Sequence, residues 1–489
     1  DNNDDGDVVV VVAAAAVEPP LVFSWIPFVG SGVEMGRGIV AFIRKYSRQF
    51  NSPIFSAVVG GKVCHFFADS EDATIGFLPT RSLDNKAIGQ QFMCNAAGAS
   101  KHHITIAYED KQKVKQINSL LHKHLMTKDA KSSNVDASQR VLNQRFEILD
   151  QKISSSVDEA GGSWYQTSLS EFVSCTIFAA AVGPLIGHGM ATDEAAKSFL
   201  DWDKGIPLLF GGVPAAFLRK SVTGREELAE LIMSSKFFET SSDLTKGRRM
   251  IYREGVDDDI YLRGLLGVVF ASSGNSIPSV FWTMCHTLSD REALEAVVRE
   301  SRSFQPDPQT GLFTIEQLDQ MVVIKSVWNE AIRLYLQQFT GRDIVKDIEY
   351  TTKTTGQNRG QTYLLKAGTR IMSTVSVLHH DRDIFENPDE FKWDRFVPDP
   401  KTGKGPVFTT KDGHVIDEPV SLFGGGAHKC PGRFFIEFEM KSFLATVFSK
   451  YDIRLADGEA IPKSLPVETG VGIVAPAGDL MIELKKKST

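Results

Sequence analysis

Cysteine is scarce in this chain of 489 residues: Cys64, Cys94, Cys175, Cys285 and Cys430, five in all, scattered and odd in number. None forms a CxxC pair, which argues against a disulfide framework or a zinc site and makes a reducing compartment the expectation. Basic residues never gather into a block and the net charge is −7, so no nucleic-acid partner is expected. A Walker-type GK[ST] is missing. The run Gly30-Ser31-Gly32-Val33-Glu34-Met35-Gly36 fails the dinucleotide spacing by one residue and lacks a convincing preceding strand. Hydrophobic content of 42% and charged content of 24% are ordinary and exclude a disordered or collagen-like chain. One thiol is left to be explained.

Long apolar runs are also lacking. Val8 to Val17 is unbroken Val and Ala, about half the roughly 20 residues a spanning helix needs. It reads either as an apolar stub on a disordered tail or as the last part of a truncated membrane anchor. Pro19-Pro20 and Trp25-Ile26-Pro27 then form a stiff linker, which favours the anchor. The chain does not begin with Met, so a processed or cut amino terminus is expected. The division expected is a tail, anchor and hinge over residues 1–20 and one large, soluble catalytic body over 21–489.

Within that body, Pro53 to Phe67 alternates around Gly60-Gly61 and predicts a β-hairpin. A second hairpin is predicted over Gln361 to Leu378, turning at Ala367-Gly368. Helical spacing predicts helices over Lys113–Lys128, Ser138–Ser156, Trp164–Val182, Glu226–Glu239 and Ile260–Leu288. The expected fold is mainly α with small β-sheets near both ends.

The most informative segment runs from Ser421 to Arg433. Phe423, three glycines, His428 and Cys430 precede Pro431 and an amphipathic helix, Phe434 to Tyr451. A cysteine at a helix N-terminus faces unpaired N–H groups, a setting expected to favour thiolate. Phe423-x-x-Gly426-x-His428-x-Cys430-x-Gly432 resembles the haem-binding loop of the cytochrome P450 family, FxxGx[RH]xCxG, at every fixed position. Glu330-Ala331-Ile332-Arg333 resembles that family's ExxR helix, and Phe391 to Phe396 resembles the segment whose arginine, here Arg395, joins it. The resemblance covers nearly the whole chain. It implies a cytochrome P450 fold enclosing haem b, with Cys430 as axial thiolate and metal ligand. It implies a structural role for Glu330, Arg333 and Arg395.

The chain departs from the family on the central helix. Where most members carry [AG]Gx[DE]T, this sequence has Phe270-Ala271-Ser272-Ser273-Gly274-Asn275-Ser276-Ile277-Pro278. Asn275 falls in the alcohol slot, or Asn275 and Ser276 fill both slots; the carboxylate is absent either way. This resembles the branch of sterol hydroxylases and prostacyclin synthase. The resemblance implies a monooxygenase hydroxylating a sterol-like or other bulky lipid, with O2 and NADPH electrons through a reductase. Alternatively it implies an isomerase or dehydratase of a lipid hydroperoxide or endoperoxide, needing no reductase. A haem-binding protein without turnover is a third reading. Asn275 and Ser276 are the candidate catalytic residues, while Phe270, Ala271, Ile277 and Val280 are expected to line the pocket, covered by Gln90–Ile106. Lys429, Arg433 and Lys441 are candidates for docking NADPH-cytochrome P450 reductase. A metal role for His379 and His380 is weighed against a structural loop, which is preferred. Endoplasmic reticulum membrane, cytoplasmic face, is the expected location.

Overall fold

In the computed structural model, residues 16–26, 29–77, 81–160, 164–252, 257–353, 360–426, 429–465 and 471–487 are described. The anchor stretch thus lies outside the described residues, apart from Ala16 and Val17. The first hairpin forms as expected. Gly60 and Gly61 have φ of 59° and 76°, the left-handed pair that a primed two-residue turn requires. They join β1 (Ile54–Val59) to β2 (Lys62–Phe67), with Val59 opposite Lys62.

The second hairpin does not form. Its two strands exist, β7 (Thr362–Leu365) and β8 (Arg370–Thr374), but they pair with different partners. β7 pairs with β6 (Ile348–Thr351), whereas β8 runs parallel to β2 and antiparallel to β5 (Leu336–Ile344). Insertion between β2 and β5 bonds β8 along both edges, which a lone hairpin cannot do. The larger sheet has six strands in the order β1-β2-β8-β5-β10, with β3 (Leu83–Asp84) also on β5 and β10 spanning Val471–Ile473. A three-stranded sheet, β4-β11-β9, joins Tyr165–Ser168, Met481–Lys486 and Tyr451–Leu455.

Eleven helices of at least ten residues, among the described residues, form the rest of the body: α1 (Ile39–Phe50), α2 (Lys111–Leu125), α3 (Lys128–Ala160), α4 (Leu169–Leu185), α5 (Asp193–Asp203), α6 (Arg219–Met233), α7 (Asp258–Ser273), α8 (Ser276–Ser289), α9 (Arg291–Ser303), α10 (Val322–Tyr335) and α11 (Arg433–Lys450). The predicted helix from Trp164 starts late, because Tyr165–Ser168 is strand β4. Ser168 ends that strand and caps α4 by accepting the Glu171 N–H. α4 is apolar on every side and accordingly buried almost throughout. Around it pack α3, α5, α7, α8 and α11, forming the main core.

The predicted central helix is broken. α7 and α8 leave Gly274 and Asn275 between them. Pro278, third in α8, has no N–H for the Gly274 carbonyl, and its ring would crowd that carbonyl in a continuous helix. Asp258–Ser289 is long and apolar enough to cross a membrane, but 67% of its apolar window is buried inside the fold, as befits a core helix.

Candidate haem-thiolate site

The loop before α11 is closed by its own backbone. The Cys430 N–H donates to the Phe423 carbonyl at 2.9 Å. Gly424 and Gly426 take φ of 67° and 61°, which side-chain-bearing residues adopt at a cost. Phe423 lies 6.2 Å from the Trp328 ring of α10, so the loop is seated on that helix. His428 falls outside the described residues. Gly432 is the N-cap of α11, two residues beyond the thiol.

Around Cys430 the chemistry is mixed. Burial pushes its thiol up, against the N–H groups of Gly432 and Arg433 and the Arg433 charge, which all favour thiolate. The helix N-terminus favours thiolate as expected, but desolvation is the larger influence on this thiol. Those donors still converge on one sulfur that remains partly accessible. A lone soft ligand, flanked by backbone N–H groups and presented from a glycine-rich loop, fits a haem iron.

The break between α7 and α8 fixes the candidate catalytic pair. Asn275 Oδ1 accepts the Ile473 N–H of β10 at 3.0 Å. Ser276 is buried and its hydroxyl donates to the Ser272 carbonyl at 2.6 Å. Of the expected pocket residues, Ala271 is exposed and Phe270 half-exposed despite lying on the central helix. Ile277 and Val280 instead join the main core, 8% and 0% exposed.

A covering segment faces α7. Phe92–Ala96 is a π-helix, a conformation common at functional sites. Phe92 lies 5.1 Å from Phe270 and 6.5 Å from Phe210, and Trp202 lies 6.3 Å from Phe270. One carbonyl, Ala96, accepts from both Trp202 Nε1 at 3.0 Å and buried Arg225 at 3.3 Å. Gly98 leaves room for that guanidinium: a Cβ there would sit 2.5 Å from Arg225 Cζ. Sequence spacing carried no signal for these clamps, since the partners lie 106 and 129 residues apart.

The ion network forms as expected. Arg333 grips Glu330 with two bonds, 2.7 and 2.9 Å, and Arg395 Nε reaches the same carboxylate at 2.9 Å. Glu330 and Arg333 are wholly buried. Two guanidiniums face one carboxylate, and the excess positive charge is met by carbonyls of His379, Glu386 and Pro388. His379 serves that network through its backbone; no cluster of metal-ligating side chains occurs among the described residues. Of the docking candidates, Lys429 pairs with Glu418, Arg433 donates to the Cys430 carbonyl, and Lys441 is buried against Glu437. Lys441, 2% exposed, is thereby removed from any docking surface.

Comparison with known proteins agrees with this geometry. The sequence profile described as cytochrome P450 matches residues 245–483. Cytochrome P450 7B1 of Mus musculus is 26% identical, over 91% of this chain and 86% of the relative. Cholesterol 7-alpha-monooxygenase of Cricetulus griseus and prostacyclin synthase of Homo sapiens are each 24% identical, over 96% of this chain and 94% of the relative. Residues 245–483 thus form a cytochrome P450 domain, and the protein is an oxidoreductase with haem b as its cofactor, taking O2 and NADPH electrons through a reductase where it acts as a hydroxylase.

Proposed function

We propose that this enzyme hydroxylates a sterol-like or other bulky lipid at a cytoplasmic membrane surface such as the endoplasmic reticulum, drawing electrons from NADPH-cytochrome P450 reductase. The observation that carries this reading is the uncharged, partly exposed wall made by Phe92, Phe210 and Phe270, backed by buried Trp202, beside exposed Ala271. Flat aromatic faces and small apolar side chains favour a large, water-poor ligand. The name of the Cricetulus relative, cholesterol 7-alpha-monooxygenase, supports a sterol.

Haem, held by Cys430, supplies the oxygen-activating chemistry when bound. The chain's own residues do the rest. The aromatic wall binds and excludes water. Asn275 holds a polar oxygen atom by hydrogen bond, in the slot where the family's alcohol stands. Ser276 has its proton committed to the Ser272 carbonyl, so it moves a proton only by breaking that bond. Ordered water is the easier carrier.

The test is a sterol panel incubated with reductase and NADPH, with products read by mass spectrometry. Reductase-dependent mono-oxygenated sterol is expected. Turnover of a lipid hydroperoxide alone, with no reductase-dependent product, would replace this reading with the isomerase one.

A further inference from the structure

The two-residue gap in the central helix is held from outside. Asn275 Oδ1 accepts the Ile473 N–H, and only an oxygen can fill that role, so the amide's orientation is fixed by chemistry. Gly472 lies against the same group. A Cβ on Gly472 would come 2.1 Å from Asn275 Oδ1 and 3.1 Å from Cγ, so no other residue fits there without moving the amide. One residue past the end of β10, the Val474 carbonyl accepts from Trp282 Nε1 at 2.7 Å, and the Val474 N–H donates to the Tyr335 carbonyl at 2.9 Å. Trp282 stacks on Tyr335 at 3.8 Å and 5°. Asn275 and Trp282 are seven residues apart, two helical turns, and so reach from one face. β10 is only three residues long and is bonded in its sheet to β5 alone.

We infer that Gly472 and the Ile473 N–H are positioning elements. They latch β10 to the helix break, and in doing so commit the Asn275 oxygen. Its Nδ2, which has no partner among the described residues, keeps both N–H groups for a ligand, while the committed oxygen retains a single lone pair. Asn275 therefore meets a ligand chiefly as a hydrogen-bond donor. The atom it holds is an acceptor, such as a carbonyl, ether, hydroxyl or peroxide oxygen. This rests on the reading of Asn275 as a pocket residue and says which chemistry it selects.

The latch is tested without any substrate, by hydrogen exchange of residues 471–474 in the holoenzyme, with the ferrous carbon monoxide spectrum confirming retained haem. Asn275→Ala removes the acceptor and should raise exchange about three- to tenfold, the equivalent of one net hydrogen bond. Asn275→Asp keeps the acceptor and should leave exchange at the wild-type rate. Gly472→Ala should raise exchange with Asn275 intact, and should add nothing when combined with Asn275→Ala. Equal exchange in wild type and Asn275→Ala, or independent effects in the double variant, overturns the latch. The donor role is read separately by kinetics on any substrate the panel yields: Asn275→Asp should lower kcat about tenfold or more with little change in KM. Unchanged kcat overturns it. Failure of the whole panel would count against the sterol reading and leave the exchange result standing.

Discussion

Replacing Glu330 by Gln is the most severe small change the structure offers. The carboxylate accepts two bonds from Arg333, one from Arg395 and one from the Lys392 N–H at 3.1 Å. An amide keeps one acceptor oxygen and turns an NH2 toward two guanidiniums. Arg333 is wholly buried and Arg395 is 9% exposed, so neither can recover its hydration by rotating outward. The carbonyls of His379, Glu386, Pro388 and Glu390 already accept from them. Leaving a buried charge unpaired costs about 3–5 kcal/mol, set against roughly 5–15 kcal/mol for a folded domain. Contrast Arg291, whose pair with Glu295 is 90% and 56% exposed; Arg291→Ala should leave stability essentially unchanged. Urea titration followed by tryptophan fluorescence and by the haem band measures both. The expected result is a lower midpoint and poor haem retention for Glu330→Gln, with Arg291→Ala close to wild type. A Glu330→Gln loss under about 1 kcal/mol would refute the reasoning that this triad is a buried charge network.

Two further outcomes are expected. His65 is buried between Ser56 Oγ at 2.9 Å and Thr369 Oγ1 at 2.8 Å, and burial pushes its pKa down to about 4. The unfolded chain takes that proton near pH 6.5, so the stability is complete above about 6.5 and is lost as pH falls toward 4, by up to about 3 kcal/mol. His65→Gln should flatten this acid slope in pH-dependent urea titrations; an identical slope would contradict it. Gly98 has φ of 77° and the Arg225 guanidinium beneath it. Gly98→Ala should cost more than about 1 kcal/mol and speed proteolysis within residues 92–100, whereas unchanged proteolysis would separate that segment from its clamp.

How much of this was legible in the sequence depended on range. The loop before α11 and the Glu330–Arg333 pair were legible because their geometry is local: fixed spacing on a turn and on one helical face. β7 and β8 were legible as strands but not in their pairing, since alternation reports a pleated surface and not the neighbour that wins its edge. The break at Gly274–Asn275 was masked by apolar periodicity running through it, although Pro278 was a visible signal. The Asn275–Ile473 bond spans 198 residues and left no local trace. The position of Cys430 just before a helix was legible, while its thiol's upward shift was not, because helix position is readable from sequence and desolvation is not.

The central claim is that Cys430 is the axial ligand of a haem. The most direct measurement is the ferrous carbon monoxide difference spectrum of the purified wild-type protein beside Cys430→Ser. The account predicts a thiolate-type Soret band in wild type and its loss in Cys430→Ser. An unchanged band in the variant would contradict it.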